Sequence, residues 1–334
     1  MCGIAGIIRY GEAPITEEMC SLLLNGNEHR GNDATGMAIS QVDGKIDIFK
    51  KAIPAWDFTS DKDYEKFINK YLKKDSWGVI LHTRYATQGN PNKNENNHPI
   101  FAGMSAVIHN GTLHNDDQLF KSEKLDRKAE VDSDILRAFI DEYGITEKGI
   151  KQMAKISGSC SGAAFDNRSP KKMLLFRSGS PMTLGSTNDF FVFASERGTV
   201  YKALKPYVKR FNVWFQVERP DAAFSPMADN TAWIMGPEGH EMHREFKTLW
   251  GSYSEPFRPT YDKYKERNER WTRESKQKST TVNLTGKQVE DALCPKCHKS
   301  WAIPKGANPD LFSCNTEEKG CGSRLISMER AKAN

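Results

Sequence analysis

The chain opens on an apolar stretch, Ile4, Ala5, Ile7 and Ile8 with Gly3 and Gly6 between them, which predicts a short buried strand. Comparable runs recur at 36–40, 77–82, 105–109, 158–165, 173–177 and 190–196, each too short for a typical helix. Unbroken apolar character in a strand means burial on both faces. Helical spacing lies between these runs. Residues 16–26 carry Met19, Leu22 and Leu23 as an apolar stripe, and Thr16 followed by Glu17 and Glu18 is a helix start with acids at the positive end of the dipole. Residues 62–73 predict a charged peripheral helix, Asp132 and Asp134 open one that runs through Ile135, Phe139 and Ile140, and 145–155 form another. Doubly buried strands alternating with peripheral helices predict two stacked sheets covered by helices on both outer faces, an α+β, four-layer αββα sandwich.

Later in the chain the pattern thins. Gly179-Ser180-Pro181 is a tight turn, and 233–235, 236–239 and 240–246 read as strand, turn and strand of a hairpin. On a strand His240 and His243 would point to opposite faces, which argues against a metal pair. From 252 to 290 the chain is polar, with Lys263, Lys265, Arg267, Arg270, Arg273, Lys276 and Lys278 interleaved with acids, a solvated linker by default. The expected organisation is a main domain at 2–250, a linker at 251–290 and a small module at 291–330.

Composition adds little to this and contradicts none of it. Hydrophobic residues make up 38% and charged ones 27%, which suits a soluble globular chain with some extended polar sequence. No apolar run approaches the ~20 residues of a membrane span, and no signal-peptide pattern is present. A formal charge of +5 permits a nucleic-acid contact without arguing for one. Four of the seven cysteines crowd the C-terminal region in metal-ligand spacing, which fits a reducing, cytoplasmic compartment better than a disulfide framework.

Candidate chemistry begins at Cys2. Methionine aminopeptidase removes Met1 when the second residue is small, and removal would leave one residue with both a thiol and a free α-amine. A thiol with pKa near ~8.5 needs a base at neutral pH, and an α-amine with pKa near ~8 is the nearest one. Taken alone, 1–7 reads equally as a start codon ahead of a core strand. Behind it come Arg30-Gly31-Asn32-Asp33-Ala34-Thr35-Gly36, then His82-Thr83-Arg84-Tyr85-Ala86-Thr87-Gln88-Gly89, Asn97-His98-Pro99, His109-Asn110-Gly111-Thr112 and Val131-Asp132-Ser133-Asp134.

This ordered series resembles the glutaminase domain of class II glutamine amidotransferases, the N-terminal-nucleophile family, over residues 2 to 200. The resemblance implies that Cys2 attacks the glutamine side-chain amide and forms a γ-glutamyl thioester. It assigns the Asn110 side-chain amide and the Gly111 N–H to the oxyanion hole, where two donors meet the charge of the tetrahedral intermediate. Without that context Asn-Gly is a type I′ hairpin turn. Glutamine is a zwitterion, so its pocket needs a guanidinium and an acid. The resemblance gives Arg84 the carboxylate, through the paired bonds its planar fork allows, and Asp132 the ammonium. Tyr85, Thr87 and His98 join them as substrate-binding positions, and Arg30 and Asp33 lie under the nucleophile strand. Gln88 departs from the His that related sugar-amidating enzymes often carry there. The Ser195-Glu196 pair matches a family turn near the site, read here as structural.

Near the C-terminus Cys294-Pro295-Lys296-Cys297 is followed by Cys314 and Cys321, a pattern that suits a four-thiolate structural zinc ribbon. His298 is an alternative ligand. So small a segment cannot bury a sufficient core and would take its folding energy from the metal. Lys299, Trp301, Lys305 and Arg324 allow contact with nucleic acid without establishing it. Residues after 200 are too few and too polar for the synthetase module that family members usually carry, so the expectation is an ammonia-accepting synthetase on a separate subunit. The alternative is an idle or γ-glutamyl-hydrolase-like sandwich that serves as a binding module for the ribbon.

Overall fold

Strand β1 (Gly3–Arg9) is flanked on both sides, antiparallel, by β4 (Gly78–Arg84) and β10 (Phe190–Ala194). The structure is a computed structural model and describes residues 1–210, 224–237, 239–249, 302–304, 311–314 and 324–327. The sheet built on β1 extends past β4 through β2 (Ala34–Ser40) to β3 (Ile46–Lys51), and past β10 through β9 (Thr183–Ser186) to β11 (Phe224–Pro226). A second antiparallel sheet runs in the order β13 (Gly239–Glu245), β12 (Thr231–Gly236), β8 (Met173–Ser178), β7 (Gly158–Asp166), β6 (Ser105–Leu113), β5 (Ile100–Phe101).

Three apolar cores hold the layers together. Ile4, Ile80 and Phe193 of the first sheet meet Ile108, Ala163 and Phe165 of the second in the interior between them. On the outer face of the first sheet, α1 (Glu17–Asn27), α2 (Ala55–Thr59), α3 (Lys62–Tyr71) and α7 (Arg197–Leu204) pack against Ile7, Val79 and Val192. On the outer face of the second, α4 (Asp116–Ser122), α5 (Asp134–Tyr143) and α6 (Glu147–Met153) cover Val107, Ala164 and Leu174. The result is the αββα sandwich predicted from the doubly buried strands.

The local signals acted as expected at several ends. The Thr16 side chain accepts from the Met19 amide at 3.3 Å, capping α1 ahead of its acidic first turn. Two readings need correction. The run at 105–109 does not stop there: β6 continues to Leu113, so Asn110 and Gly111 sit inside a strand, paired with Ser161 and Cys160, and not in a turn. His240 and His243 do not face opposite ways either. The register slips between Ile234 and Met235, and both rings gather at Trp233, 5.1 and 6.2 Å from its centroid.

The chain divides into two compact units, 1–254 and 255–334. In the second, β14 (Ala302–Pro304), β15 (Leu311–Cys314) and β16 (Arg324–Ser327) form a small antiparallel sheet in that order. The expected linker at 251–290 lies outside the described residues. Among the described residues, no helix is long and apolar enough to cross a membrane.

Candidate active site

The pairing of β1 with β4 sets the first half of the site. Gly3 lies opposite Thr83, which brings Cys2 alongside the end of β4. There the Tyr85 amide donates to Cys2 Sγ at 3.4 Å, and the thiol points back at the Tyr85 carbonyl at 3.6 Å. Arg30 Nε donates to the Cys2 carbonyl at 2.9 Å, and its Nη1 donates to Glu196 at 3.0 Å. Glu196 also meets His29 Nε2 at 2.9 Å, so Glu196, read as structural, braces Cys2 through Arg30. Asp33 accepts from the Ala86 amide at 2.6 Å and fixes the loop that follows β4. Enclosure pushes the Cys2 thiol above its ordinary pKa, a rise opposed by the Tyr85 hydrogen bond, the terminal amine and the Arg84 guanidinium.

Arg84 closes β4 at 3% exposure. Its Nη1 donates to Asn97 Oδ1 at 2.6 Å, and its Nη2 donates to the carbonyls of Gln88 and Gly89 at 2.5 and 3.1 Å. Gln88 therefore contributes its backbone to Arg84, whatever its side chain does. Tyr85 and Thr87 are exposed beside it.

The second sheet supplies the other half. Asn110 is 1% exposed, and its Nδ2 has no hydrogen-bond partner. A buried amide left without an acceptor costs roughly 1–3 kcal/mol, so its position calls for a reason. Gly111 beside it has φ 145°, and a Cβ there would lie 1.9 Å from the Ser159 carbonyl, so only glycine fits. Asp132 comes just ahead of α5; its Oδ2 accepts from the Leu113 amide at 2.8 Å and its Oδ1 from Ser133 Oγ at 3.3 Å. His109 Nδ1 lies 2.9 Å from the same Ser133 hydroxyl. Asp134, the alternative acid, is committed elsewhere, paired with Arg137 inside α5.

A bond between the sheets helps tie the halves together. His82 Nε2 donates across the sandwich to the His109 carbonyl at 3.0 Å. His82 is two residues before Arg84, and His109 is one before Asn110, so the bond ties the end of β4 to the stretch of β6 that carries Asn110. His82 must be neutral for long-lived burial, and desolvation lowers its pKa to about 3. His98, expected among the substrate-binding residues, is 4% exposed and stacks on His82 with ring centroids 4.1 Å apart. Burial also holds it neutral, well below the usual imidazole range. Its neighbour Asn97 is the residue that touches Arg84. Reading the sequence missed Asn97, although it stands in the same Asn-His-Pro motif.

Cys294, Cys297 and Cys321 lie outside the described residues, and Cys314 falls at the end of β15. Among the described residues no group of three or more His, Cys, Asp or Glu side chains is placed to hold a metal ion.

No protein-family model matches the chain. Curated relatives include a glutamine–fructose-6-phosphate aminotransferase (isomerizing) of Bacillus licheniformis, 28% identical over 217 residues that cover 63% of this chain and 34% of that protein. The same enzyme of Francisella tularensis is 29% identical over 196 residues, 55% of this chain and 30% of that one. Among solved structures, glutamine phosphoribosylpyrophosphate amidotransferase of B. subtilis, complexed with ADP and GMP, superposes with a TM-score of 0.52 at 19% identity. It covers 73% of this chain and 49% of its own. An allosteric regulatory enzyme of purine biosynthesis gives 0.56 at 18% identity, over 75% of this chain and 50% of that one. The chain thus spans about a third of the length of these curated relatives and about half of the two solved chains. The αββα sandwich is the fold that the chain shares with these two solved structures.

Proposed function

We propose that the 1–254 unit hydrolyses glutamine in the manner of a class II amidotransferase. The observation that carries the reading is the Asn110 amide, buried and without an acceptor, one residue from the His109 carbonyl that His82 of the Cys2-bearing sheet grips. After removal of Met1, the free α-amine of Cys2 takes the thiol proton and Sγ attacks the side-chain carbonyl of glutamine. The carbonyl oxygen becomes an oxyanion and receives hydrogen bonds from Asn110 Nδ2 and the Gly111 N–H. The C–N bond then breaks, the α-ammonium returns a proton to the leaving ammonia, and a γ-glutamyl thioester remains. Water hydrolyses it to glutamate and frees the thiol. Arg84 receives the α-carboxylate and Asp132 the α-ammonium, at positions the neighbouring backbone already holds rigid.

The similarity to glutamine-dependent aminotransferases supports this reading, since those relatives take their name from the same donor. We place the ammonia acceptor on a separate synthetase subunit and the protein in the cytoplasm. Residues 255–334 are polar and carry the four-cysteine pattern, which supports a small zinc ribbon held by Cys294, Cys297, Cys314 and Cys321. Its role is contact with the synthetase or with nucleic acid, and an amidation of a nucleobase or nucleic acid fits such an attachment.

The test is intact mass together with glutamate release. Loss of Met1 with turnover that vanishes in Cys2→Ala is the expected result. Retained Met1 with no turnover on glutamine, alone or with a synthetase, overturns it in favour of a binding module.

A further inference from the structure

Lys50 is a half-buried lysine that the proposed chemistry does not use. It lies on β3 opposite Gly36 of β2 and turns its ammonium towards the Asn97–Pro99 segment. Its Nζ donates to the Asn97 carbonyl at 2.7 Å and the Pro99 carbonyl at 2.9 Å. The backbone repeats the clamp, because the Asn94 side-chain amide donates to the Lys50 carbonyl at 3.1 Å. Gly36 admits the segment: a Cβ there would stand 2.1 Å from the His98 carbonyl. Among the described residues no carboxylate is paired with Lys50. Burial pulls its pKa down to about 8, with Arg84 adding repulsion and Glu95 opposing it. A lysine among carbonyls, close enough to an arginine to feel its charge, is an expensive way to anchor a loop. It becomes intelligible if what the loop holds is the arginine.

The geometry points to Lys50 as a positioning residue for Arg84, acting through Asn97. Lys50 fixes the Asn97 backbone, and the Asn97 side chain then presents Oδ1 to Arg84 Nη1 at 2.6 Å while its Nδ2 is braced on the Pro91 carbonyl at 2.7 Å. Gln88 and Gly89 accept from the other guanidinium nitrogen, so Asn97 is one of the contacts that fix the plane of the group. Bidentate recognition of a carboxylate depends on that plane. The role rests on the proposal that Arg84 receives the glutamine carboxylate.

The experiment measures kcat and KM for glutamine, and thermal unfolding, in the full chain as wild type, Lys50→Met, Lys50→Arg and Arg84→Gln. Lys50→Met is expected to raise KM about 10-fold, the size of one lost charge-assisted hydrogen bond, with kcat within about twofold. Lys50→Arg is expected to recover most of the loss. If Lys50→Met does not fold, Lys50→Gln, which keeps a donor of similar reach without the charge, is read by the same split. Unchanged KM in a folded variant, a fall in kcat at constant KM, or no recovery with arginine overturns the role. Should wild type turn over with Arg84→Gln weakened and Lys50→Met unaffected, only the Lys50 inference falls. Absent wild-type turnover, or an Arg84→Gln variant with normal KM, removes the reading beneath it and the inference together.

Discussion

The two sheets bring very different kinds of polar group to the candidate site. On the first, most of the bonds hold parts in place: Cys2 with the Tyr85 backbone, Arg30 Nε and Nη1 with the Cys2 carbonyl and Glu196, Arg84 with Asn97 and two loop carbonyls, while Arg30 Nη2 is left without an acceptor. On the second, Asp132 is engaged with Leu113 and Ser133, but Asn110 keeps a buried N–H without an acceptor. The first sheet has spent its hydrogen bonds on holding parts still. The second keeps a buried donor unmatched, available to the charge that the proposed reaction would develop in front of it. A donor that gains its acceptor only as the reaction proceeds stabilises the transition state more than the ground state, which is what accelerates a chemical step.

The contrast predicts different kinetic signatures for the two sides. The largest effect belongs to Asn110→Ala, expected to lower kcat by ~10²–10³ with little change in KM. Steady-state kinetics on glutamine decides it; a variant that loses KM instead would make Asn110 a ground-state contact and erase the contrast. Arg84→Gln is expected to do the reverse, raising KM by about 10–100-fold with a smaller change in kcat, because the carboxylate is gripped equally before and during reaction. Asp132→Asn belongs with it in sign.

The smallest effect concerns the bond that joins the sheets. An unfolded histidine takes its proton near ~6.5, whereas folded His82 does so only at about 3. Between those values the unfolded chain binds more protons, so stability falls as pH drops from about 6.5 towards 3. His98 and His109 are shifted the same way by burial. Urea midpoints at a series of pH values should show the slope, and His82→Gln, which keeps a donor for the His109 carbonyl, should flatten part of it. A midpoint indifferent to pH in that range would mean the histidines are not held neutral.

Much of this was legible from residue order because the strands are buried on both faces and read as continuous apolar runs. β1, β4, β7, β8 and β10 announce themselves that way. β3 does not: its sequence Ile46-Asp47-Ile48-Phe49-Lys50-Lys51 is an edge strand, half-buried, with charge at alternate and terminal positions. Asn110-Gly111 misleads for a physical reason. The pair favours a tight turn locally, yet nine residues of register with β7 override that preference and carry the strand straight through it. Asn97 and Lys50 were invisible because they act through contacts 13 and 47 residues away, and no local pattern marks either. Cys2, Arg84 and Asp132 were nominated because each stands in a run of neighbours that matches a family motif.

The interior where Ile4, Ile80 and Phe193 meet Ile108, Ala163 and Phe165 has a second role beyond holding the layers together. The Cys2 sulfur rides on one slab and the Asn110 amide on the other, so the thickness of this filling sets the gap the proposed chemistry would work across. Displacements of about 1 Å at a reacting centre cost roughly 10²-fold in rate, while a methylene lost from a core costs ~1 kcal/mol of stability. The hydrocarbon between the sheets is therefore a caliper, and on the proposed reading turnover would register its setting more finely than any melting curve.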